Sequence, residues 1–171
     1  MVDLERQVLH AANLRGVVVR YGHLYGPGTW YAPEGSIARQ VRRRRFPIVG
    51  DGAGVFSFVH IADAATATVA AVGSVAAGVY NVVDDEPAPV HTWLPWYART
   101  LQAPPPRHVA AILARLAADD QAVLLSTRQR GASNTKARQH LGWQPRYGSW
   151  RAGFAATAVS AYNLSSVDMA G

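Results

Sequence analysis

The chain has 171 residues, 17 Lys+Arg against 11 Asp+Glu and a net charge of +6, a length that suits one domain burying roughly two-thirds of its unfolded surface. Hydrophobic residues at 49% and charged residues at 16% exclude a disordered polar chain. The absence of cysteine excludes disulfides, thiolate nucleophiles and zinc–thiolate sites.

Residues 2–13 place Leu4, Val8 and Ala11 on one side and charges on the other, which predicts a short amphipathic helix. That segment has no apolar core, so it does not read as a signal peptide. Residues 61–80 are too weakly apolar, with Asp63 among them, for a membrane span; a cytoplasmic protein is the default expectation. Val17-Val18-Val19 is a β-branched run, expected as a strand covered on both faces of a parallel sheet. It runs into a glycine-proline loop carrying Arg20, Tyr21, His23 and Tyr25. Ligands of open α/β sheets bind outside the carboxyl ends of the strands, so this loop is a candidate site wall.

A helix over 35–45 is expected to open at Gly35-Ser36, with serine as N-cap. Residues 47–59 read as a hairpin around an Asp51-Gly52 turn. Asp63 is expected to cap a helix over 64–74, and 78–85 is the second strong strand. Helices are predicted over 90–102, 108–118 (Val109, Ile112, Leu113 and Leu116 at helical spacing), 133–141 closing at Gly142, and 149–162. Pro104 to Pro106 form a stiff connector, and 166–171 read as a loose tail. Two strands with helical crossovers and a cluster of helices predict α/β architecture with a small accessory lobe.

Four stretches in this order, VVVRYGHLYGPGT, PIVGDGAGVFSFVHIADAA, GVYNVVDDEPAPV and SNTKARQHLGWQPRYGSWRAGF, resemble successive landmarks of the NAD-dependent epimerase/dehydratase family, the extended short-chain dehydrogenase/reductases. The resemblance covers residues 3–155. It implies the C-terminal half of such a protein: the last strands of a partial Rossmann-type parallel sheet (1–34 and 61–85) and a mostly helical substrate-binding lobe (35–60 and 86–165). NAD or NADP is the implied cofactor and a small carbinol or sugar-like molecule the implied substrate. The family's glycine-rich loop, which gives the backbone its close approach to a pyrophosphate, does not occur in this sequence. Neither does its Tyr-x-x-x-Lys acid/base pair, since the only lysine, Lys136, follows Ala132 rather than a tyrosine at that spacing. The helix holding Glu5 is then the end of the catalytic helix, no catalytic residue is assigned, and the chain is expected to be inactive alone.

By position, the resemblance implies that Tyr21, Gly22 and His23 lie beside the nicotinamide, and that His23, Tyr25, Gly26, Pro27 and Phe56 face the substrate; Arg130 or Arg128, ahead of the helix at 133–141, is the candidate to stand in for a cation absent at position 56. Two positions depart from the family. His23 stands where nucleotide-sugar enzymes commonly have asparagine, and Phe56 stands where they usually have an arginine that clamps a diphosphate. A smaller or less charged substrate follows.

Other constellations have plainer readings. The glycines at 50, 52 and 54 precede a strand rather than a helix, so a turn is preferred to a phosphate loop. Ser57, His60 and Asp63 lack the elbow of a hydrolase triad. Six dispersed histidines suggest no metal site. Arg42 to Arg45 would point in different directions on a helix and have no aromatic platform beside them, so nucleic acid is not the expected partner. Trp93, Trp96, Trp143 and Trp150 are expected in the core. The exposed faces of Val17–Val19 and Val79–Val83 favour association with a complementary nucleotide-binding half or a second copy. A non-catalytic assembly module is the first alternative, and a basic nucleic-acid-binding protein the second.

Overall fold

The computed structural model describes residues 2–12, 15–74, 76–117 and 120–158. In chain order the elements are α1 (Val2–Leu9), β1 (Val17–Tyr21), β2 (His23–Tyr25), α2 (Ser36–Arg42), β3 (Ile48–Val49), β4 (Val55–Phe56), β5 (Phe58–His60) and α3 (Ile61–Gly73). They continue with β6 (Gly78–Val82), β7 (Ala88–Pro89), α4 (Val90–Thr100), β8 (His108–Val109), α5 (Ala111–Ala117), α6 (Asp120–Arg128) and α7 (Thr135–Leu141), followed by a helix α8 over 150–158.

Valine at 17 to 19 gives β1, which pairs in parallel with β6 from Val17 opposite Gly78 to Tyr21 opposite Val82. The chain then changes partner at Gly22. Its amide donates to Val82 O, the next amide donates from His23 to Ser57 O, and β2 continues in parallel with β5. A Cβ on Gly22 would meet Ser57 O and Val83 Cγ1, so packing between the two strand pairs requires glycine there. α3 lies close to the sheet because its buried face is alanine, Ala64 and Ala67, packed with Val59, Tyr80, Val82, Ala137 and Trp143. This is the α/β arrangement expected, parallel strand pairs with helices against them.

The accessory lobe is built on aromatic burial. Tyr25, Tyr31, Phe56, Phe58, Trp93, Tyr97, Trp150 and Phe154 share one core, and large rings supply most of the area that such a lobe can remove from water. Trp93, Trp143 and Trp150 are buried and Trp96 is packed against the same core, as expected.

Several local expectations are corrected. Residues 47–59 form no hairpin: β3 pairs in parallel with β8, β4 antiparallel with β7, and β5 with β2. The Gly52 turn is present, its amide on Val49 O and its φ at +64°. α2 is preceded by Gly35 without a side-chain cap and stops at Arg42, and Arg44 takes a φ of +55°. Val109 belongs to β8 rather than to a helix, and Ile112 and Leu113 of α5 face solvent. α1 ends at Leu9 and β1 is half-buried, not covered on both faces. Gly142 closes α7 in the left-handed region, φ +61°, as expected. The predicted tail at 166–171 lies outside the described residues. Among the described residues no helix is long and apolar enough to cross a membrane.

Candidate functional site

The partner change at Gly22 opens a cavity of about 310 Å³ at the strand ends, lined by Tyr21, Gly22 and His23 on one side and by Gln129, Arg130 and Ala132 on the other. The second wall is tied to the sheet by several hydrogen bonds. Val55 N donates to Gln129 O at 2.8 Å, Ala132 N to Ser57 Oγ at 2.8 Å, and Asn134 Nδ2 to Val83 O at 2.8 Å.

His23 is the most constrained group in the cavity. Its ring stacks on Phe56, centroids 4.2 Å apart and planes 18° from parallel, and meets the edge of Tyr31. Gln129 Nε2 lies 3.1 Å from His23 Nε2, a contact that an amide NH₂ satisfies when the ring is neutral and accepts at that nitrogen. Burial holds the ring below its ordinary titration range. Gln129 Oε1 is buried without a partner among the described residues.

The cavity is lined by two arginines in different states. Arg20 is held by Glu5, Nε to Oε1 at 2.9 Å and Nη2 to Oε2 at 2.5 Å. The ion pair fastens α1 to β1, pulls the Glu5 carboxyl down and neutralises the Arg20 charge. Arg130 is exposed and has no hydrogen-bond or ion-pair partner among the described residues. Among the described residues no carboxylate lines the cavity. Arg130 is thus an unpaired cation, among the described residues, beside the stacked His23 and Phe56 rings.

The other residues expected at the site divide. Tyr21 lines the cavity, but its hydroxyl is engaged with Thr68 Oγ1 at 2.6 Å. Phe56 reaches the site only through His23, being buried in the lobe core. Tyr25 is fully buried between His60, Phe58 and Phe154 and does not line the cavity. Gly26 is buried with a φ of +115°, Pro27 is exposed, and neither borders the cavity. Gln129 went unassigned in the sequence because it lies 106 positions from His23 with no local pattern to mark it.

Ser57, His60 and Asp63 are each committed elsewhere. Ser57 Oγ accepts from Ala132 N, His60 Nδ1 caps α3 by accepting from Ala62 N, and Asp63 accepts from Arg146 N and Tyr147 N at 2.9 and 3.0 Å. Asp63 therefore anchors the loop before α8 and does not cap its own helix. In the basic run, Arg42 donates to Pro33 O and Arg44 to Pro105 O, so these side chains diverge.

A second cavity of about 380 Å³ lies beyond the 129–134 segment, with Asp84, Asp85, Asn134 and Arg138 in its wall. Burial, with Asp85 and Asp63 adding to it, pushes the Asp84 carboxyl up to about 8, against a backbone hydrogen bond from Trp150. Asp84 Oδ2 has no partner among the described residues.

Residues 2–83 match the family model described as the NAD dependent epimerase/dehydratase family. A curated relative from Streptomyces sp., named 3-diazoavenalumate denitrifying reductase, is 52% identical over 154 residues, which is 90% of this chain and 50% of the relative. Among solved structures, a functionally unknown conserved protein from Silicibacter pomeroyi superposes with a TM-score of 0.73 at 28% identity, over 94% of this chain and 53% of that one. The UDP-glucose 4-epimerase of Thermotoga maritima, solved with UDP-glucose, has a TM-score of 0.68 at 20% identity, over 95% of this chain and 50% of that one. A human epimerase family protein solved with NADPH gives 0.70 at 20% identity, over 84% and 48%. The chain spans about half the length of the relatives that it matches.

Proposed function

This chain belongs to the NAD-dependent epimerase/dehydratase family, and from that premise we propose that its residues form the substrate-side wall of an NAD(P)-dependent reductase. The substrate class is planar and diazo-bearing rather than a nucleotide sugar. The identity shared with the Streptomyces reductase supports the reaction class. The observation that carries the substrate class is the flat His23–Phe56 stack beside a cavity holding one unpaired cation, Arg130. An arginine at position 56 would have offered a diphosphate clamp; phenylalanine offers a ring.

The residues fit only one end of the cofactor. A cavity of about 310 Å³ lies at the small end of the ligand-pocket range of roughly 300–1,000 Å³, enough for a ring beside Tyr21, Gly22 and His23 but not for a dinucleotide. β1 leads through Gly22 into β2 rather than into a helix N-terminus, so a pyrophosphate finds no cradle here. When bound, a reduced nicotinamide supplies the hydride, and replacing a diazonium group by hydrogen takes up one hydride and releases dinitrogen. In that reaction His23, held flat by Phe56 behind it, orients the ring, Arg130 holds the acidic group, and the 129–134 wall excludes water. The pyrophosphate contacts and an acid/base pair come from residues outside this sequence. The domain reading is the same: 1–34 and 61–85 complete a nucleotide-binding sheet, and 35–60 with the helices after 86 grip the substrate.

A second reading, a module that assembles with a nucleotide-binding partner, is favoured by the free edge of β1. Among the described residues β1 pairs on one side only, and a groove of about 460 Å³ lined by Leu4, Val8, Ala11 and Val17 runs beside it. The two readings are compatible.

Amide NMR spectra recorded during titration test the substrate class. An aryl nitrile such as 4-cyanobenzoate has a linear group shaped like a diazo group but inert to hydride. It should shift Gly22, His23, Ser57, Gln129 and Arg130, and UDP-glucose should leave them in place. The reverse pattern, or no shift with either, overturns the reading.

A further inference from the structure

Gln129 Nε2 lies 3.1 Å from one nitrogen of His23 while Phe56 covers a face of the same ring. These two contacts come from segments far apart in sequence, and the backbone bond from Val55 N to Gln129 O joins them, fixing the backbones of 55–56 and 129 to each other. We propose that Gln129 is a positioning residue that presents His23 to the substrate as a neutral, Nδ1-protonated ring lying flat on Phe56. For its substrate class alone this rests on the reductase reading above. A neutral ring places no positive charge against a diazo group, whose hydride-accepting end is already electron-poor.

The surroundings agree with that state. Tyr31, Phe56 and Phe58 face the ring and carry no charge. Of the charged and titratable groups lining the cavity, Arg20 is neutralised by Glu5, Tyr21 is hydrogen-bonded to Thr68, and Arg130 is cationic, which opposes a second positive charge on the imidazole. No carboxylate faces the ring from the cavity. Turned about its terminal bond, the Gln129 amide would offer the otherwise unpartnered Oε1 instead. The choice between the two faces of the amide is therefore a choice between two ring tautomers, which nitrogen NMR reads directly.

The experiment is ¹⁵N NMR of the His23 ring across pH in the whole chain, wild type beside Gln129→Glu and Gln129→Ala. The wild-type ring should carry its proton on Nδ1 and titrate below 6.5, its ordinary value. Gln129→Glu should raise its proton affinity about tenfold or more, because a carboxylate opposite Nε2 favours the charged ring. Gln129→Ala should release the tautomer while leaving the fold intact. A wild-type ring protonated on Nε2, or one titrating at or above 6.5, overturns the proposal, as does a folded Gln129→Glu chain with an unmoved midpoint. If the glutamate variant does not fold, the wild-type tautomer and the alanine variant decide. These readouts need no ligand, so a failure of aryl nitrile binding would remove the substrate class and leave the positioning role standing.

Discussion

Tyr25 and Gly153 are fitted to one another: the tyrosine hydroxyl occupies the space that a Cβ on Gly153 would need. That hydroxyl is buried with no hydrogen-bond partner among the described residues, and burial drives its proton affinity up. A desolvated hydroxyl without a partner costs stability. Tyr25→Phe should therefore stabilise the chain by about 1 kcal/mol in urea unfolding. Gly153→Ala should destabilise it, and Tyr25→Phe should rescue part of that loss. A tyrosine that serves the substrate directly would show no gain in stability on losing its hydroxyl.

Phe56 joins the lobe core to the cavity, since its ring packs at 5.2 Å from Trp93 on one side and 4.2 Å from His23 on the other. Phe56→Ala should cost about 3–5 kcal/mol, the usual loss for a buried aromatic ring. The same change uncovers His23, so the ring's titration midpoint should rise toward 6.5 as burial is lost. Chemical denaturation and a proton NMR titration measure the two effects separately.

Asp84 gives a pH signature. Its folded value of about 8 lies above its ordinary 3.8, so the folded chain binds more protons than the unfolded chain between those limits. Stability from this carboxyl is fully present below 3.8, falls as pH rises, and is gone above about 8. An asparagine side chain at this position is neutral throughout, so Asp84→Asn should flatten that slope and stabilise the chain by about 1 kcal/mol or more at pH 8. His23 and His60 are held below their ordinary range and act in the opposite sense, losing stability as pH falls below 6.5, so the comparison is between variant and wild type at each pH. Equal slopes would contradict the buried-acid assignment.

The local signals that proved readable were those whose physics is local. Three β-branched residues in a row made β1, and a glycine able to take positive φ ended α7. The hairpin over 47–59 failed for the complementary reason. An Asp-Gly turn is a short-range signal, yet β3, β4 and β5 each found partners elsewhere, at 108–109, 88–89 and 23–25. Burial among distant aromatic residues outweighed the turn. Asp63 followed the same logic, with two loop amides available to it that no local pattern foretells. His23 and Arg130 line one cavity, whereas Tyr25 and Phe56, also expected at the site, are drawn into the core by their size. Gln129 was invisible because its meaning lies wholly in a long-range contact.

The proposed substrate wall is open to test in the Streptomyces relative. The most direct measurement exchanges the aligned segment of the 52%-identical Streptomyces reductase for this chain and follows NADPH oxidation with 3-diazoavenalumate. Diazo-dependent NADPH consumption by the exchanged protein is expected, lost when Arg130 and His23 are both replaced by alanine. A folded exchange protein that binds NADPH but consumes none with the diazo compound would contradict it.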